Sequence, residues 1–261
     1  KINRTQNDAC TAKIHYIKNK PFEDGYCYEQ DYALELDANR QTLMDDNKMN
    51  TSCEIVVGTH FRTIGKTAKR IWLIDTPGVN SSQDKAHRDL TERYIKEAPS
   101  DMLIYLLNGE NIGSEDDKNH LQFVREHYTG NVIFLINKLD RFRKEEDSIA
   151  ETLAAAVDDL KEIGFADPVV VPISSYAAYL AKMSIFGEEL DKFSQMELGL
   201  IAGKLNDTEY QFDTYYPNSS RSEVELDSSS EAKFLLLHSG VLQLENIIYG
   251  MRGQIYERDA D

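Results

Sequence analysis

Four short apolar runs, each ended by a polar loop, constrain the fold of this chain more than any other feature. They are Arg70–Ile74, Met102–Leu107, Val132–Ile136 and Val169–Ile173. Runs of this length, bounded by loops, read as buried strands. Segments with helical spacing lie between them, at Asp84–Glu97, Glu115–His127 and Ser148–Ile163. In the last of these, Ile149, Leu153, Val157 and Leu160 fall on one helical face. Strands alternating with helices predict an α/β fold, a mostly parallel sheet with helices on both faces. In such sheets ligands bind outside the carboxyl ends of the strands. The loops that follow the four runs are therefore the places to look for chemistry.

At 261 residues, the chain reads as a single domain, 1–261, with insertions. Residues 18–52 are acidic and tyrosine-rich, contain Pro21 and Gly25, and read as an insertion with one helix near Asp31–Met44. Residues 206–230, rich in Ser, Asp, Asn and Tyr, read as a long loop insertion. A C-terminal helix follows over 231–256, with Ser239-Gly240 breaking it. Glu54–Phe61 reads as one arm of a β-hairpin turned at Gly65-Lys66.

The charge removes several function classes. Lys and Arg number 29 against 45 Asp and Glu, a net charge of −16. That excludes a nucleic-acid polymer as the main partner, because phosphate backbones are bound by clustered cations. It also argues against direct adhesion to anionic lipid. The three cysteines, Cys10, Cys27 and Cys53, show no zinc spacing and read as free thiols in a reducing, cytoplasmic setting. No apolar run approaches the ~18 residues of a membrane span.

Two strand ends carry chemistry. The first is Trp72-Leu73-Ile74-Asp75-Thr76-Pro77-Gly78. A strand-end Asp75 can hold Mg²⁺ through water, and Gly78 lets its backbone N–H approach a terminal phosphate. The same residues also suit a simple turn. The second is Phe134-Leu135-Ile136-Asn137-Lys138-Leu139-Asp140. A carboxylate at Asp140 can accept two hydrogen bonds from guanine, and adenine would leave it unpaired. Asn137 can read the other edge of the base or tie neighbouring loops together. The aliphatic stem of Lys138 can lie over the base.

Asp-x-x-Gly after one strand and Asn-Lys-x-Asp after a later one resemble the P-loop GTPases. The runs Asp75-Thr76-Pro77-Gly78-Val79-Asn80 and Asp101–Asn108, with Ser239-Gly240-Val241 ahead of Leu244-Glu245, narrow the resemblance to the dynamin-like branch. The resemblance implies GTP or GDP as ligand and Mg²⁺ as cofactor. It implies Asp75, Thr76, Pro77 and Gly78 at the phosphates, and Asn137, Lys138 and Asp140 on guanine. It places Ser174 and Ser175, in Pro172–Ala177, over the base. Asn7–Ile14 resembles the first switch, which makes Thr11 the second metal ligand and a catalytic-loop residue beside Gly78, with Thr5 in reserve. It implies GTP hydrolysis, a homodimer through the nucleotide-binding face, and membrane contact only through regions outside this chain, hence peripheral attachment. The competing reading is a non-catalytic guanine-nucleotide-binding module; septin-like and immunity-related branches share the motifs.

Two departures stand out. Gly-x-x-x-x-Gly-Lys-[Ser/Thr], the loop that cradles phosphates, does not occur. Gly65-Lys66-Thr67 mimics its tail, but His60 stands where the first glycine belongs. In the family that loop precedes the first switch. The expectation is therefore an N-terminal strand, loop and helix before Lys1, and little turnover by this chain alone. The other departure is Val79, which cannot orient water as the Gln of many small GTPases does.

Overall fold

A computed structural model describes residues 13–47, 52–62, 70–79, 85–143, 147–217 and 230–251. The chain divides into two compact units, Lys1–Ala98 and Pro99–Asp261.

The first unit is built on a five-stranded mixed sheet. Its strands are β1 (Ile14–Asn19), β2 (Tyr28–Gln30), β3 (Leu34–Glu35), β4 (Glu54–Thr59) and β5 (Trp72–Asp75), in the order β3-β2-β4-β1-β5. β1 runs parallel to β4 and antiparallel to β5. The run at 70–74 is thus an antiparallel edge strand, with Trp72 and Leu73 exposed, rather than a buried parallel one. Its apolar composition resembles that of the central strands, and only the pairing separates them. The hairpin expected from Glu54–Phe61 does not form with β5, because β1 lies between β4 and β5. The turn expected at Gly65-Lys66 lies outside the described residues.

Residues 18–52 complete β1, supply β2 and β3, and end in helix α1 (Arg40–Asp46). The expected helix at 31–44 is shortened to this segment because Asn39 starts it. The Asn39 side chain accepts from the Gln41 and Thr42 amides, and the Asn39 amide donates to Thr42 Oγ1. Leu43 then packs on Ile55 and Val57. Gly58 is needed opposite Tyr28: a Cβ there would lie 1.8 Å from the tyrosine ring. Lys13 and Asp31 form a buried ion pair at 2.7 Å. Helix α2 (Lys85–Glu97) follows the loop after β5.

The second unit holds a three-stranded parallel sheet of β6 (Met102–Asn108), β7 (Asn131–Asn137) and β8 (Val169–Ile173). Asn108, Asn137 and Ile173 are in register, so the three strands end level and their loops lie side by side. β7 is buried on both faces through Ile133, Phe134, Leu135 and Ile136. β6 buries Tyr105 and Leu107 but leaves Ile104 and Leu106 exposed. Helices α3 (Glu115–His127) and α4 (Ile149–Ile163) match the expected spans. Ser114 and Ser148 cap them, and Gly164 ends α4 at φ 107°. The interior face of α4 is Ile149, Leu153, Ala156 and Leu160.

Helices α5 (Ser175–Ile185) and α6 (Lys192–Leu205) were not anticipated by periodicity. The first half of the expected loop from 206 forms two 3₁₀ turns, and Tyr210, Phe212 and Tyr216 are buried there; 218–229 lie outside the described residues. The C-terminal helix is two helices, α7 (Glu231–His238) and α8 (Val241–Gly250), broken at Ser239-Gly240 as the sequence indicates. Among the described residues no helix is long and apolar enough to cross a membrane.

Candidate functional site

Each unit contains one of the two strand-end motifs. In the first unit β5 delivers Asp75, in register with His15 of β1. His15 is buried, which lowers its pKa, and Asp75 acts against that shift. The following residues are anchored from α2. Buried Thr91 donates its hydroxyl to the Pro77 carbonyl at 2.8 Å, and Arg88 donates to the Val79 carbonyl at 3.4 Å. Pro77 is buried and Gly78 is exposed, so the loop is fastened below while its glycine faces outward. Thr11 and Thr5 lie outside the described residues. Among the described residues no group of three or more His, Cys, Asp or Glu could hold a metal.

In the second unit β7 ends at Asn137, and the chain reverses through Lys138 at φ 70°. Lys138 has the one positive φ among the described non-glycine residues. The turn drives Leu139 into the core, where it is fully buried, and leaves Asp140 half-buried beside the loop of β8. The loops of β7 and β8 are joined by one side chain. Asn137 Nδ2 donates to Ser175 Oγ at 2.8 Å, and the Ser175 amide donates to Asn137 Oδ1 at 3.1 Å. Of the two roles open to Asn137, the structure has it tie neighbouring loops. Ser174 is fully buried, caps α5 by accepting from the Ala177 amide, and favours the charged form of the Asp140 carboxyl. Burial pushes the Asp140 carboxyl up; Ser174, its own backbone, Arg141 and Lys204 pull it back.

Several supporting groups had no sequence signal. Lys204 of α6 donates to the Asp140 carbonyl at 2.5 Å and also to the Phe142 carbonyl. Its ammonium lies 4.5 Å from the Tyr210 ring, whose hydroxyl donates to the same Phe142 carbonyl at 3.1 Å. Glu110 pairs with Lys138 at 3.1 Å and Arg141 at 3.2 Å, and these cations hold its carboxyl below its usual range. The Ser239-Gly240 break also serves this site. The Ser174 amide donates to the Ser239 carbonyl at 2.9 Å, and a Cβ on Gly240 would stand 2.5 Å from the Pro172 carbonyl. The Ser-Gly pair, quoted above for its resemblance, is thus a close backbone approach behind the β8 loop.

The Asp-x-x-Gly and Asn-Lys-x-Asp loops at the strand ends are the pattern in which the sequence resembles the P-loop GTPases. A family model described as "Dynamin family" matches residues 3–139, more than half of the chain. The chain belongs to the dynamin family. It is 28% identical over 146 residues to "Dynamin-like protein A" of Bacillus subtilis (strain 168), covering 54% of this chain and 12% of that protein. The chain thus spans about an eighth of that relative's length. Among solved structures it is similar to one described as "An oligomerised bacterial dynamin pair provides a mechanism for the long range sensing and tethering of membranes". That match has 12% identity, covers 74% of this chain and 31% of the other, and has a TM-score of 0.42.

Proposed function

We propose that the chain is a single GTPase domain that binds guanine nucleotide and hydrolyses GTP in a Mg²⁺-dependent reaction. The observation that carries the reading is the Asn137–Ser175 clamp, which joins the Asn-Lys-x-Asp loop to the Ser174-Ser175 loop in a dynamin-family chain. Asp140, its carboxylate oriented by Ser174, accepts from the guanine ring N–H and amino group. Lys138 lays its stem over the base, and Ser174 and Ser175 cover its edge. Asp75 and Thr11 would hold Mg²⁺, and Thr76 and Pro77 would shape the turn that lets Gly78 donate its N–H to the γ-phosphate. Bound Mg²⁺ would neutralise charge on the phosphate oxygens. Water attacks the γ-phosphorus in line, and catalysis comes from positioning and electrostatic stabilisation.

Self-association through the nucleotide-binding face belongs to the same proposal, as does peripheral membrane action through regions outside this chain, in the cytoplasm. Membership of the dynamin family supports both. A non-catalytic, nucleotide-dependent interaction module, using the same loops as a binding surface without turnover, is the second reading.

The experiment is phosphate release by the intact protein with GTP and with ATP, with and without Mg²⁺. GTP turnover that needs Mg²⁺ and is abolished in Asp75→Ala supports the enzyme. Tight GTP binding without turnover supports the second reading. Equal turnover of ATP rejects the guanine assignment.

A further inference from the structure

We infer that Lys204 is a positioning residue for guanine recognition, holding the Asp140 loop in place from behind. The inference rests on the guanine reading above and assigns part of the work to a residue far from either motif.

The geometry is specific. Lys204 lies in the last turn of α6, and its ammonium reaches two carbonyls of the loop, those of Asp140 and Phe142. The carbonyls flank the turn that presents the Asp140 side chain. Tyr210, itself buried, closes the cation from the other side through its ring face and secures Phe142 with its hydroxyl. An ammonium that satisfies two carbonyls and an aromatic face is a rigid support rather than a solvated surface charge.

The electrostatics point the same way. A carboxylate accepts both guanine hydrogens only when ionised. Asp140 is pushed toward the neutral form by burial and faces Ser174 from the start of α5, Arg141 from its own loop and Lys204 from α6. Arg141 is shared with Glu110, which also holds Lys138. Lys204 in turn is lowered by burial and raised by Asp140 and Asp147. Lys204 is therefore the cation behind the Asp140 loop whose loss would loosen the loop; its charge also favours ionised Asp140, by less than Ser174, the loop backbone and Arg141 do.

The test uses the intact protein and fluorescent GDP, with IDP as the competitor that lacks the guanine amino group. Wild type should lose GDP affinity as pH falls through the Asp140 titration, and should prefer GDP over IDP. Lys204→Met should weaken GDP binding about ten-fold, as expected for losing charged hydrogen bonds. It should also move the affinity midpoint to higher pH and shrink the GDP-to-IDP ratio. Lys204→Arg should restore all three. Lys204→Gln keeps a donor without charge; it should retain more affinity than Met yet show the same upward midpoint shift, which a purely structural role would not produce. It also serves if the Met variant does not fold. Asp140→Asn separates the failures. If it leaves GDP preference in place, the guanine reading is wrong and the role of Lys204 falls with it. If it removes that preference while both Lys204→Met and Lys204→Gln keep the wild-type midpoint and ratio, the guanine reading stands and the positioning role is overturned.

Discussion

Gly240→Ala tests whether the break between α7 and α8 is a close backbone contact or only a helix end. Two costs are separable. Gly240 sits at φ 78°, where an L-residue costs about 1–2 kcal/mol. An added Cβ would also stand 2.5 Å from the Pro172 carbonyl and 3.2 Å from the Tyr216 ring, neither of which is a flexible chain end. Overpacking of this kind adds about 1–3 kcal/mol, for a total of about 2–5 kcal/mol. Gly187 is the matched control in the same unit, with φ 75° and nothing within 4 Å of the added Cβ. Gly187→Ala should therefore show the backbone cost alone, about 1–2 kcal/mol. The assay is urea unfolding of both variants followed by circular dichroism. Gly240→Ala should exceed Gly187→Ala by about 1–3 kcal/mol and should also weaken nucleotide binding, because Ser239 holds the Ser174 amide. Equal losses, within about 0.5 kcal/mol, would refute the close-contact argument.

The remaining predictions concern the loop, the core and pH. Asn137→Ala removes both bonds to Ser175 and should cost about 1–3 kcal/mol in nucleotide affinity, read by titration calorimetry, with a smaller change in thermal stability. Leu139→Ala opens a cavity under a fully buried side chain and should destabilise the chain by about 2–5 kcal/mol in urea unfolding. Glu29 is buried on β2, where burial first and then the hydrogen bond and charge of Asp46, with Asp31 and Glu35, raise its pKa from 4.5 to about 7. A carboxyl raised in the folded state stabilises it below pH 4.5, and that contribution is lost as pH rises through about 7. Unfolding free energy should fall across that window in wild type and flatten in Glu29→Gln; an unchanged slope in the variant would assign the pH dependence elsewhere.

Parts of this molecule were legible because their causes are local. Helices α3 and α4 begin at Ser114 and Ser148, which cap them within a few residues, and α4 ends at Gly164. The break at Ser239-Gly240 is likewise written in two adjacent residues. The region 18–52 was not legible because β2 and β3 are three and two residues long and carry too little pattern to count as strands. Helix α5 buries Ala177, Ala178, Leu180 and Ala181, mostly small side chains, so its amphipathic period is weak. The site divides in the same way. Asn137 and Asp140 were named from strand-end position and side-chain chemistry, Ser174 and Ser175 from the family resemblance. Lys204 was not, because its partner carbonyl lies 64 residues away and backbone carbonyls leave no mark in a sequence. The role of Asn137 needed the geometry too, since an amide can serve a base or a loop equally well.

The central claim is that Asp140, held by Ser174 and the Asn137 clamp, reads guanine. Competition between GDP and XDP for the intact protein, in wild type and Asp140→Asn, tests it most directly. Wild type should prefer GDP, and Asp140→Asn should prefer XDP, because the amide offers a donor where xanthine presents an oxygen. Retention of the wild-type preference for GDP by folded Asp140→Asn would contradict the account.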